Sequence, residues 1–106
     1  MTPPRLVKVG ALSYTVHHDQ DRISGGDRGN IDAESNAIRI APSLEASRKR
    51  VIVLHEVVHA VLEAAGWRWD DTRERGHEDV VNTITPGLLA VLRDNPDLVA
   101  YLREGS

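Results

Sequence analysis

The stretch Arg50-Val51-Ile52-Val53-Leu54-His55-Glu56-Val57-Val58-His59-Ala60-Val61-Leu62-Glu63-Ala64-Ala65-Gly66 decides how this chain is read. Val51, Leu54, His55, Val58, His59, Val61 and Leu62 recur at helical spacing. Upstream, Ser43 can cap a helix, and Glu45 suits the positive end of its dipole. Gly66 stands where a C-terminal cap belongs. The spacing therefore predicts a helix from about Leu44 to Ala65. On a helix, residues four apart lie only ~40° apart around the axis. The rings of His55 and His59 then point to one side, one turn apart, where they can share a metal ion. Glu56 projects beside them and can take a proton from a water that the metal has acidified. This is the chemistry of the His-Glu-x-x-His arrangement.

The pattern is specific. Five His and seven Glu in 106 residues give a chance expectation of roughly 0.015 matches. The competing reading is two helical histidines satisfied by hydrogen bonds near a core. With no cysteine in the chain, a metal site must use His and carboxylates, and a tetrahedral site of that kind favours Zn2+, one per chain. A catalytic zinc usually takes three protein ligands and a water. A third His six residues past His59 is absent, since Ala65 stands there. The remaining candidates are Asp71, Glu74, His77, Glu78 and Asp79. Glu78 is favoured over its rival His77. It opens a helical stretch whose Val81, Ile84 and Leu88 can pack on the first helix and bring Glu78 over the His pair.

Outward from the motif, the first 42 residues are β-rich. Arg5 to Val9 and Leu12 to Val16 alternate around Gly10-Ala11, which predicts a hairpin. His17 to Arg28 reads as a loop, Ile31 as the start of a short strand, and Asp32 to Asn36 as a turn. Ala37 to Ile40 is another strand, with Ile38 and Ile40 on one face. Beyond Gly66, Trp67 and Trp69 lie in a loop, and one of them is expected to anchor the core. A second helix is predicted from about Thr72 through Leu92, kinked or split near Thr85 because Pro86 lies inside it. Asn95-Pro96 starts a short terminal helix through Leu102.

The bulk properties exclude several classes. The chain length fits one domain over residues 1 to 106. A formal charge of -3 argues against nucleic acid as a partner. The exception, Arg48-Lys49-Arg50, reads as a solvated helix turn. No apolar run is long enough to span a membrane, and no apolar signal region follows Met1 to Arg5. The expected location is the cytoplasm.

Taken together, Gly29 to Ile40, the His55 to His59 helix and Glu78 to Pro86 resemble the small zincin metallopeptidases of the ImmA/IrrE type. The segment Leu88 to Pro96 is similar to the tails of short phage and prophage forms, which implies a bacterial host cell. The resemblance spans roughly residues 29 to 102. It implies an α+β, zincin-like fold, with a small twisted antiparallel or mixed sheet on the motif helix. It also implies that Glu78, four before Asn82, is the third metal ligand. The implied activity is endopeptidase cleavage of a protein or peptide substrate. In zincins generally an edge strand pairs with the substrate backbone, and Ala37 to Ile40 is the candidate here, against an ordinary buried strand. Cleavage of repressor proteins does not carry over, because the chain has no room for a DNA-binding domain.

Three readings follow. The first is an active peptidase with Glu56 as general base. The second is a non-catalytic zinc-stabilised protein-binding module whose fourth position is closed by Asp71, Glu74 or Asp79, with a latent enzyme in between. The third is a helical domain without metal. Tyr14, His17, His18, His77 and Tyr101 are candidate oxyanion donors, and Glu63 a candidate partner for the other ring nitrogen of His59.

Overall fold

Val7 and Val9 are buried while Leu6 and Lys8 are exposed, the two-residue alternation of a strand with one face on a core. That strand, β1 (Leu6–Val9), turns through Gly10-Ala11 into β2 (Leu12–His17), antiparallel to it, with Val7 opposite Tyr14. β3 (Gly29–Asp32) and β4 (Ala37–Ile40) form a second antiparallel pair. Its turn is stabilised by Asp32, whose Oδ1 accepts a hydrogen bond from the Glu34 N–H at 3.0 Å. The structure is a computed structural model that describes residues 2–19, 28–32, 34–67 and 76–104.

β4 joins the two hairpins by pairing parallel to β2, so the sheet is mixed, in the order β1-β2-β4-β3. This corrects one expectation. Ala37 to Ile40 is a central strand, and β3 holds the sheet edge beside it. The side chains agree: Ala37, Ile38 and Ile40 are all buried. Ala37 on one face and Ile38 and Ile40 on the other are covered, and burial on both faces makes an apolar run denser than simple alternation.

Three helices complete the α+β fold: α1 (Ala46–Ala64), α2 (His77–Asp94) and α3 (Pro96–Arg103). α1 begins two residues later than its spacing suggested. Glu45 is the N-cap, in extended backbone, and its side chain makes no capping bond. The C-terminal end is as expected. Gly66 takes φ +85°, the Gly66 N–H donates to the Glu63 carbonyl, and the Trp67 N–H donates to the Leu62 carbonyl at 3.0 Å. These are the two bonds of a Schellman cap, and Trp67 folds back into the core beyond it. Trp69 lies outside the described residues.

α2 runs continuously through Pro86 and does not split there. Gly87 explains its close approach to α1. A Cβ on Gly87 would stand 2.5 Å from Val61 Cγ1, so glycine leaves room for the Val61 side chain against α2. One core joins all the elements. Val7, Val9, Tyr14, Ile38 and Ile40 from the sheet meet Val53, Val57, Ala60 and Val61 of α1, Val91 of α2, and Leu98 and Tyr101 of α3. With few aromatic residues, the buried interior is made of small and branched aliphatics plus Tyr14, Tyr101 and Trp67.

Asn95, between α2 and α3, ties the far edge of the sheet. Its Oδ1 accepts from the Lys8 N–H at 2.8 Å, and its Nδ2 donates to the carbonyls of Lys8 (2.7 Å) and Val91 (2.8 Å). One side chain thus satisfies backbone groups on the outer edge of β1. No helix among the described residues is long and apolar enough to cross a membrane.

Candidate metal centre

α1 carries its inward face on Val53, Val57, Ala60 and Val61, which leaves His55 and His59 on a face turned away from the deepest core. His55 is exposed and His59 is partly buried. Their rings meet edge to face, with centroids 4.8 Å apart and planes at 75°. The two Nε2 atoms lie 3.2 Å apart. Zinc–nitrogen bonds of about 2.0–2.1 Å at a tetrahedral angle place two ligand nitrogens about 3.3–3.4 Å apart. The histidine pair therefore fits a single tetrahedral ion, although the same separation also suits an N–H···N hydrogen bond.

Glu56 completes the cluster. It is 4% exposed, and one ligand atom from each of His55, Glu56 and His59 lies within 4.8 Å of the others. This group is close enough to hold a metal ion. The edge strand roofs the carboxylate: Glu56 Oε2 lies 3.4 Å from where a Cβ on Gly29 would stand. That Cβ would also fall 2.8 Å from Ile52 Cγ2 and 2.9 Å from the Arg39 carbonyl oxygen, so Gly29 is the residue that lets β3 pass so near α1.

Burial first, and then the charge of His55, hold the His59 imidazole below its ordinary pKa. A lowered pKa keeps the ring neutral, the form that ligates a metal. One turn further along α1, Glu63 is pushed up by burial and then by Asp32 of β3. Its buried Oε2 has no hydrogen-bond partner. Tyr14 is raised in turn, by burial and then by Glu63. The row His55, His59, Glu63 along α1 thus ends against an acid on the edge strand and a buried phenol from β2. Asp32 escaped the sequence reading because only the β3–β4 pairing brings it to α1.

The other candidates scatter. Glu78 lies exposed in the first turn of α2 and is not part of the His55–Glu56–His59 group. Val81, expected to pack on α1, is 40% exposed, while Leu88 and Val91 make the contact with the core. His77 and Asp79 share that exposed first turn. Asp71 and Glu74 lie outside the described residues. His17 is exposed, its Nε2 2.9 Å from Thr15 Oγ1. His18 and Tyr101 line a separate cavity. Comparisons with protein-family models, curated proteins and solved structures give no match to this chain.

Proposed function

We propose that this chain is a zinc-dependent metallopeptidase of the small zincin type, acting on a protein or peptide. The observation that carries the reading is the 3.2 Å approach of the His55 and His59 Nε2 atoms beside the buried Glu56 carboxylate. His55 and His59 hold the ion, and Glu78 is the proposed third ligand. Zinc, when bound, acidifies a water and polarises the scissile carbonyl. Glu56 accepts the proton of the attacking water and passes it to the leaving amine.

The edge strand supports a peptide as substrate. The Ala41 N–H donates to the Arg28 carbonyl at 2.8 Å. By antiparallel alternation, the backbone groups of Gly29 and Ile31 then point away from β4, toward the open side of the sheet. An extended peptide adding to β3 would pair with those groups and run past Glu56. Gly29 of β3, rather than Ala37 to Ile40, is the strand position proposed to bring the substrate to Glu56, whose Oε2 lies 3.4 Å from where a Gly29 Cβ would stand.

One observation favours a second reading. Glu56 is itself near enough to both histidines to serve as a ligand, which would make the site a closed structural clasp in a protein-binding module. Metal content and peptide cleavage of three variants separate the two. For a peptidase, His55→Ala and Glu78→Ala lose zinc, while Glu56→Gln keeps about one zinc per chain and loses cleavage by about a hundredfold or more. If Glu56→Gln also loses the metal, Glu56 is a ligand and the clasp reading stands. If the wild type takes up no zinc, both readings fall.

A further inference from the structure

The basic turn Arg48-Lys49-Arg50 is not simply a solvated helix face. Arg48 is exposed, but Lys49 and Arg50 are half-buried in the wall of a cavity of about 180 Å³. His18, just past the end of β2, forms another wall, and the cavity also touches Ala46, Thr2 and the ring of Tyr101. Three side chains that carry or can take positive charge therefore converge on one space, two from α1 and one from the segment after β2. Among the described residues no carboxylate lines it, and neither Lys49 nor Arg50 makes an ion pair. Arg50 spends one N–H on Ser47 Oγ at 3.1 Å. Lys49 lies near enough to His18 to lower its pKa, after the effect of burial. Glu104 bears on Tyr101 from the end of α3, and Asp19 and Glu45 are chain neighbours of His18 and Ala46.

The backbone adds to this field. Ala46 is the first residue of α1, the first turn holds no acid, and the Glu45 side chain does not cap it. The positive end of a 19-residue helix thus opens beside the same cavity. Tyr101, 3% exposed, offers a phenol at the wall. A water occupies about 30 Å³ in the liquid, so the space takes a tetrahedral oxyanion of five heavy atoms with solvent to spare.

We propose that this cavity binds a phosphate group, as inorganic phosphate or as the monoester of a small molecule, between Lys49, Arg50 and His18. The site is separate from the candidate metal centre. At ~100° per residue, Lys49 and Arg50 lie more than ~100° around α1 from His55. The inference therefore does not depend on zinc or peptidase activity.

The test is calorimetric titration of the full chain with inorganic phosphate and with glycerol 3-phosphate, against sodium chloride at matched ionic strength. Proton NMR of the His18 and Tyr101 rings is followed in parallel. Saturable binding is expected, with shifts concentrated on those two rings. Lys49→Gln and His18→Gln should each weaken it about tenfold, as loss of one charge-assisted bond does. Arg48→Gln, which removes equal charge outside the cavity, should change it less than about twofold. Tighter binding of the monoester identifies a phosphorylated small molecule as the ligand class; tighter inorganic phosphate identifies the free ion. The wild-type shifts stand even if a variant fails to fold. The proposal is overturned if phosphate acts no differently from chloride, if Arg48→Gln matches Lys49→Gln, or if the shifts fall on His55 and His59 instead.

Discussion

Glu63 shows how one residue on the motif helix is placed by groups distant in sequence. Its carboxylate is pushed up by burial and by Asp32, and one of its oxygens is buried without a partner. A carboxyl raised above its unfolded value favours the native state only while it is protonated. Its contribution is complete below the unfolded pKa, near about 4.5, and is lost as pH rises through the higher folded value. Glu63→Gln should therefore stabilise the chain at pH 7, by about 1 kcal/mol or less because the group is only partly buried. The advantage should fade toward pH 4. Thermal melts of both proteins across that range check it; a variant less stable at neutral pH would show that Glu63 has a stabilising partner in the fold. Glu56, seven residues earlier, is also buried, but it sits against the histidines and the β3 backbone, so its predicted effect is on cleavage and not on folding.

At the scale of elements, the contacts that count are those between segments far apart in the chain. Asn95 fastens α2 and the outer edge of β1 with three hydrogen bonds to backbone groups 4 and 87 residues away. Asn95→Ala would leave the Lys8 N–H and two carbonyls without these partners in a part-buried place. The expected loss is about 2–3 kcal/mol, since an unsatisfied buried group costs about 1–3 kcal/mol. Urea unfolding reads it directly, and a shift below about 0.5 kcal/mol would mean that water replaces the side chain. The α1–α2 contact at Val61 and Gly87 is of the same kind. Gly87→Ala pushes a methyl group into Val61, and an overpacking cost of about 1–3 kcal/mol outweighs the gain of about 1 kcal/mol in helix propensity. A variant as stable as wild type would place the two helices further apart than described.

For the whole molecule, a metal ion held at the proposed centre would act on stability. A chain of this length has little margin, so a ligand bound only by the folded state raises its melting temperature visibly. At zinc concentrations one hundred times the dissociation constant the gain is about 2.7 kcal/mol. At about 4–8 °C per kcal/mol for a domain of this size, that is a rise of roughly 10–20 °C. Chelation should reverse it, and His55→Ala should melt alike with and without zinc. Identical melting of the wild type in zinc and in chelator would remove the metal from the account of this fold.

The sequence alone determined the local features. Helical periodicity, the Gly66 cap, the Gly10-Ala11 hairpin and the Pro96 helix start are properties of neighbouring residues, and the structure has each of them. The pairing of His55 with His59, and Glu56 beside them, is equally local, because a helix places residues four apart together whatever the rest of the chain does. Only the tertiary structure decided the partners across elements. Strand order made β4 central and β3 the edge, because parallel pairing of β2 with β4 is chosen by long-range packing and leaves no short-range signal. That order carried Gly29 to Glu56 and Asp32 to Glu63. It also left Val81 exposed, because α2 makes its core contact through Leu88 and Val91, a consequence of where Gly87 meets Val61. A charge run such as Arg48-Lys49-Arg50 looks solvated in sequence, since the wall that turns Lys49 and Arg50 into a cavity comes from Thr2 and Pro3, from His18 beyond β2 and from Tyr101 of α3.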